Sequence, residues 1–260
     1  MFATFTHHAD SRVVATAVHN GHELGPAVQR IMALDDRTRR REEDPHTGEI
    51  AERFDLSVVV HRSRFEVDLN RERDNAVYLT PEDAWGLDLW EYRPDEEVVH
   101  ESVQLYDAFY SNLAMTLDQL TEDHGGFVLY DIHSYNHRLR GPDEPPEDEL
   151  GNPVVNLGTG SMPGKWRPVA DVFLDTMSRY QLAGEPIDAR ENIRFKGRGM
   201  AEFVHENYGS VGCALAIELK KVFMDEWSGE LDEDKHRALS DALLATVDPV
   251  VAAWSSSGGK

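Results

Sequence analysis

Apolar residues follow two alternating patterns along the chain. Short runs rich in β-branched residues occur at 12–18 (RVVATAV), 57–61 (SVVVH), 126–132 (GFVLYDI), 153–158 (PVVNLG) and 212–219 (GCALAIEL). These predict strands, because Val, Ile and aromatic side chains fit a pleated, packed surface. Longer segments with helical spacing separate them. Over 97–122, Val99, Val103, Tyr106, Tyr110, Leu113, Leu117 and Leu120 recur every three or four positions and predict one long helix. Residues 168–182 and 233–254 predict two more. TPED at 80–83 sets an N-cap Thr before a Pro at the first helical position, which starts a short helix ahead of Trp85. Residues 139–153, crowded with Pro, Gly, Asp and Glu, predict a long exposed loop.

Strands alternating with helices predict an α/β domain with a sheet backed by helices. At 260 residues and 40% hydrophobic content the chain can bury one substantial core, so a single domain over 1–254 is expected, with 255–260 (SSSGGK) a disordered tail. Charge narrows the partners. The net charge of -22, from 48 acidic against 26 basic residues, argues against nucleic acid, whose binding needs a basic surface, and against an anionic membrane. No long apolar run predicts a membrane span, and the N-terminal segment lacks the apolar core of a secretory signal, so a soluble cytoplasmic protein is expected. Cys213 is the only cysteine, which leaves His, Asp and Glu as candidate metal ligands.

In an open α/β sheet, ligands sit beyond the carboxyl ends of the strands. Four such places carry polar residues. AVHNGHEL ends the first run with His19, His22 and Glu23, and HRSRFEVDLNR follows the second with Arg62, Arg64, Asp68, Asn70 and Arg71. DIHSYNHR follows the third with Asp131 and His133, and AIELKK closes the last with Glu218. Singly these have ordinary readings: a histidine after a strand is often only hydrogen-bonded, HNGH can be a turn, and Arg62 with Arg64 can be one face of a solvated edge. Glu218 is harder to dismiss, because an unpartnered carboxylate inside CALAIEL is costly to bury. Two imidazoles, several carboxylates and an Arg/Asn cluster at one sheet edge predict a three-ligand metal site with an open position, beside an anion pocket.

RFEVDLNR, DIHSYN and IELKK together resemble the N-formylglutamate amidohydrolase family, and through it the zinc carboxypeptidases and aspartoacylase-like deacylases. The correspondence runs in order from residue 13 to about 225. It implies a carboxypeptidase-like hydrolase fold, three-layer α/β/α around a mostly parallel mixed sheet, holding one Zn2+. It also implies hydrolysis of N-formylglutamate to glutamate and formate. By the same resemblance, Asp68 orients a metal-bound histidine, Asn70 and Arg71 hold a substrate carboxylate, and His133 is the last metal ligand. Glu218 is the catalytic acid/base, and Arg64 meets the substrate and its oxyanion. Asp131 would accept a hydrogen bond from behind His133, with Ser134 and Tyr135 on the wall.

The first metal motif departs from the carboxypeptidase His-x-x-Glu, since the third residue after His19 is His22 and Glu23 lies one further on. REEDPHTGEIAERF resembles the amidohydrolases' equivalent segment and sets Asp44 at its acidic position. The implied metal set is His19, Asp44 and His133, with Glu43, His22 and Glu23 as alternatives to Asp44. Two Gly-rich segments, NLGTGSMPGKW with Gly158 and Gly160 and NIRFKGRGM with Lys196 and Arg198, are further candidates for close approach to an anionic ligand. Lys196 and Arg198 are candidates for a distal carboxylate. The expected partner is a small anionic N-acyl amino acid. Competing expectations are a zinc carboxypeptidase or deacylase of another N-acyl amino acid or peptide, and a catalytically silent carboxylate-binding relative.

Overall fold

The computed structural model describes residues 1–8 and 10–259. All five predicted runs are strands: β2 (Val13–Ala17), β3 (Leu56–Val60), β4 (Phe127–Tyr135), β5 (Val155–Gly158) and β9 (Gly212–Lys220). Two more, β1 (Ala3–His7) and β8 (Ala189–Glu191), complete a seven-stranded sheet in the order β1-β3-β2-β4-β9-β5-β8. The pairs β3/β2, β2/β4, β4/β9 and β5/β8 are parallel, while β1/β3 and β9/β5 are antiparallel. Strand β4 runs three residues past the predicted end, carrying His133 within the ladder rather than in a loop after it.

The helices are α1 (Pro26–Gln29), α2 (Asp36–Glu42), α3 (Thr47–Ala51), α4 (Glu96–His124), α5 (Arg167–Ser178), α6 (Met200–Tyr208), α7 (Glu233–Ala245) and α8 (Val247–Ser256). Helix α4 has clear ends. The Asp95 side chain accepts from Val98 N at the start, and Gly125 at φ 76° closes the last turn. The helix predicted over 168–182 stops at Ser178. Ala183 and Gly184, both at positive φ, close a two-residue turn that pairs β6 (Gln181–Leu182) with β7 (Glu185–Pro186). The helix predicted over 233–254 is two helices meeting at Thr246. Pro249 cannot donate to the Ala245 carbonyl, and its ring would crowd that group in a continuous helix. Helix α8 then continues through Ser256, with Ser257 as its cap, into the segment expected to be a tail; Lys260 lies outside the described residues. The predicted turn at Pro81–Ala84 is present as a 3-10 helix with a Thr80–Asp83 capping box.

Helices cover both faces of the sheet, giving the three-layer α/β/α arrangement expected. Against one face, α3, α5, α7 and α8 pack on Val13, Ala15, Val128, Tyr130, Leu215 and Ile217. Against the other, Phe109, Leu113 and Leu117 of α4 and Val204 of α6 pack on Val14, Val58, Leu129 and Ala214. Each fully buried side chain of this size contributes roughly 1.5–3 kcal/mol. Side chains alternate between faces along a strand. Asp131 and His133 therefore share the face of Leu129, and Glu218 shares that of Ala214 and Ala216. Near the carboxyl ends of β4 and β9 this second core gives way to those polar residues.

Candidate active site

Register sets the first pair. In the parallel β4/β9 ladder His133 lies directly opposite Glu218, and on the other side of β9 Asn156 of β5 lies opposite the same residue. His19 comes from the turn after β2, the strand next to β4. Asp44 comes from the segment between α2 and α3, where its backbone N–H donates to the His19 carbonyl at 2.9 Å. His19, Asp44 and His133 are all buried, and each offers one ligand atom within 4.8 Å of the others. The His133 Nδ1 lies 3.1 Å from His19 Nδ1 and 3.0 Å from Asp44 Oδ2, and His19 Nδ1 lies 3.5 Å from the same oxygen.

Behind each imidazole stands a buried carboxylate. His19 Nε2–H donates to Asp68 Oδ1 at 2.7 Å, while His133 Nε2 lies 3.1 Å from Asp131 Oδ1 and 3.3 Å from Asn70 Nδ2. Asp68 also accepts from Asn70 N (2.9 Å), Arg64 Nη2 (2.7 Å) and the Tyr78 hydroxyl. Thr16 donates to Asp131 Oδ1 at 3.1 Å, while Asp131 Oδ2 is buried with no partner among the described residues. With an aspartate beside each Nε2, two Nδ1 atoms and a carboxylate oxygen face one another. That convergence is repulsive by itself and fits a divalent cation, whose nitrogen and carboxylate ligands are these atom types. Three buried aspartates, met by Arg64 Nη2 at 2.7 Å and Arg71 Nε at 3.7 Å on Asp68 Oδ2, leave a surplus of negative charge that a cation would offset.

Titration reflects the crowding. Burial pushes the Asp44 carboxyl up, but hydrogen bonds from His133 and His19 outweigh it and hold Asp44 well below the usual carboxylate range. Asp68 is likewise held low against its burial, by Arg64, His19 and Tyr78. His133 is raised well above an ordinary imidazole, since Asp131 and Asp44 overcome the opposing effect of burial. Burial pushes Glu218 up to about 8; His133 opposes this, while Asp44 and Asp131 reinforce it.

These groups open into a cavity of about 630 Å³ lined also by Arg64, Asn70, Trp85, Ser134, Tyr135 and Arg194. A larger groove of about 910 Å³ between β1 and α4 is mainly apolar and holds none of the candidate residues. Ser134 Oγ donates to Asp44 Oδ1 at 3.3 Å, and the Tyr135 hydroxyl donates to the Pro153 carbonyl. Asn70 is fixed by Met200 N, which donates to its Oδ1 at 2.9 Å. This needs glycine at 199, where φ is 59° and a Cβ would stand 2.0 Å from Asn70 Oδ1.

Several sequence expectations change. Of the four candidates for the middle ligand, Asp44 faces the histidines. Glu43 points the other way, accepting from Ser63 and from His22 Nδ1 at 2.5 Å, so those two alternatives satisfy each other. Glu23 is exposed, and its backbone pairs with the His61–Ser63 segment. Arg62 pairs with Glu66 at 2.9 Å. Arg71 does not line the cavity: its Nη2 donates to the Asp83 carbonyl at 2.7 Å, and its guanidinium lies over the Tyr78 ring. Lys196 and Arg198 are exposed and also off the lining. The glycines near them serve chain packing, since a Cβ on Gly158 would stand 2.3 Å from Gly197 N. Sequence reasoning missed Tyr78, Asn156 and Arg194. No spacing marks them, although Arg194 lies within the Gly-rich segment already singled out.

Among the described residues no helix is long and apolar enough to cross a membrane. No curated protein matches the chain by sequence. Solved structures that share its fold include two at 14% identity. An N-formylglutamate amidohydrolase from Ralstonia eutropha superposes with a TM-score of 0.76 over 98% of this chain and 99% of its own. A gene product from Agrobacterium tumefaciens superposes with a TM-score of 0.68 over 97% and 94%. The family model for N-formylglutamate amidohydrolase matches residues 11–224, from the start of β2 to just past the Glu218 strand, and the chain therefore belongs to the N-formylglutamate amidohydrolase family, hydrolases that act on an amide bond.

Proposed function

We propose that this protein is a zinc-dependent amidohydrolase that converts N-formylglutamate and water to glutamate and formate. The observation carrying the reading is the meeting of His19, Asp44 and His133 at one point with Glu218 in register beside His133. His19, Asp44 and His133 would hold the zinc, which would supply Lewis acidity for a carbonyl oxygen and for water. Asp68 and Asp131 keep both imidazoles in the tautomer that offers Nδ1, and fix their orientation. Glu218 takes the proton from the attacking water and delivers it to the departing amide nitrogen. Its carboxyl is raised to about 8 by burial, and a neighbouring cation would draw it back down, toward the neutral range where acid/base exchange works best. Arg64, anchored by Asp68 and Tyr78, presents positive charge to the oxyanion. Asn70, held by Met200 N, contacts the substrate near the scissile amide.

The test is formate release from N-formylglutamate by purified protein, with zinc content measured on the same sample. One zinc per chain and turnover are expected. Tight zinc without turnover of any N-formyl or N-acyl amino acid would favour the silent carboxylate-binding alternative. Turnover confined to peptides or other acyl groups would favour the carboxypeptidase or deacylase reading.

A further inference from the structure

We propose that Arg194 recognises the side-chain carboxylate of the substrate and sets the enzyme's preference for N-acyl amino acids with an acidic side chain. This rests on the hydrolase reading above. Four cations line the cavity: Arg41, Arg64, Arg194 and Lys221. Arg41 is paired with Glu42 and Glu226, and Arg64 with Asp68. Lys221 directs its ammonium at the carbonyls of Arg41 and Glu43 (2.6 and 2.7 Å) and at Asn136 Oδ1 (3.1 Å), which uses its three N–H groups. Arg194 differs from all three. Among the described residues no carboxylate lies within ion-pairing distance of it, and its guanidinium makes one hydrogen bond, from Nη1 to Asn152 Oδ1 at 2.6 Å. In a chain with 48 acidic and 26 basic residues, a cavity cation without an acidic partner has its charge available to a ligand.

Its position is fixed before any ligand arrives. Arg194 N donates to Asn156 Oδ1 at 2.8 Å, and Asn156 is the residue opposite Glu218 across β5/β9. The guanidinium lies over the Tyr135 ring at 5.1 Å and near the Phe195 ring at 5.6 Å. Tyr135 follows His133 by two residues on the same strand face, so it stands about 7 Å farther out. A cation resting on that ring shares the cavity with the His19–Asp44–His133 centre and is displaced from it along β4. A side-chain carboxylate pointing outward from the scissile amide would meet it, whereas an α-carboxylate adjoining that amide would lie nearer Arg64 and Asn70. The planar fork of the guanidinium, prepositioned by Asn152 and the aromatic rings, suits bidentate capture of a carboxylate.

The experiment compares wild type, Arg194→Gln and Arg194→Lys as zinc-loaded, full-length proteins, on N-formylglutamate and its neutral isostere N-formylglutamine. Binding of L-glutamate and L-glutamine is followed by calorimetry on the same samples. In Arg194→Gln the preference for the glutamate derivative in kcat/KM should fall by about 10- to 100-fold, mostly through KM, as expected for loss of a charge-assisted hydrogen-bonded pair. Arg194→Lys, which keeps the charge without the fork, should recover part of it, and glutamate binding should weaken in parallel. A preference retained in Arg194→Gln, or equal losses on both substrates with no weakening of glutamate binding, would overturn the assignment. Wild type that binds glutamate over glutamine through Arg194 but releases no formate would instead sink the proposed reaction and leave the recognition role standing.

Discussion

The two ends of β9 each lie against a buried histidine, and the two histidines behave in opposite ways. At the amino end, Ala214 N donates to His205 Nε2 at 3.0 Å, and His205 Nδ1 meets Ser161 Oγ at 2.9 Å. Burial pulls His205 down to about 4 against the hydrogen bond with Ala214, so it is a neutral ring closing α6 onto the sheet. At the carboxyl end, His133 is buried still more deeply, yet Asp131 and Asp44 drive it the other way. Burial alone therefore does not mark a histidine as functional. The partners decide: a backbone N–H makes it structural, while carboxylates on both ring nitrogens make it part of a charged centre.

The comparison can be broken most directly at Glu218. Glu218→Gln should lower kcat by about 100- to 10,000-fold, the range for loss of a general acid/base, while zinc content stays at one per chain. Substantial residual turnover would remove Glu218 from that role. Next comes the metal end. His133→Ala should lose the zinc, and Asp131→Asn, which leaves the imidazole without its anionic acceptor, should weaken zinc affinity by about 10- to 100-fold in a chelator competition. An unchanged affinity in Asp131→Asn would mean that the carboxylate behind His133 does not tune it.

The other end of the comparison is tested through stability, at His205. Its folded pKa of about 4 lies below that of an exposed histidine near 6.5, so the unfolded chain takes up a proton that the folded chain refuses. Stability should fall as pH drops from about 6.5 toward 4, by roughly 3 kcal/mol when complete. His205→Gln, which cannot charge, should flatten that part of the pH dependence of the urea midpoint. A parallel pH profile in wild type and variant would show that His205 is not the group responsible.

Much of this site was legible because its chemistry sits in short runs. His133 and Glu218 interrupt strands that are otherwise apolar, and polar groups in such places stand out as costly. The DLNR and IELKK segments resembled a known family, which led to Asp68 and Asn70. Arg71 is less legible for a physical reason: adjacency in sequence to Asn70 does not set it on the cavity wall, and the chain turns its guanidinium toward Asp68, Tyr78 and Asp83. The choice of Asp44 over Glu43, consecutive residues of the same type, depends on which way one peptide faces. Arg194 carries no spacing signal, because its relation to Glu218 passes through Asn156 on a third segment.

By itself the sequence determined the strands, the long α4 helix, the acidic surface and the residue types at the strand ends, because periodicity and the cost of burying charge act locally along the chain. Which of those residues meet was decided only by the tertiary structure. Sheet register sets His133 against Glu218, the turn after β2 brings His19 to Asp44, and the packing of Gly158 against Gly197 holds the segment that carries Arg194. Electrostatic partnership depends on distances of a few ångströms between segments far apart in the chain, as between His19 and His133, 114 positions apart, and no local pattern encodes such distances.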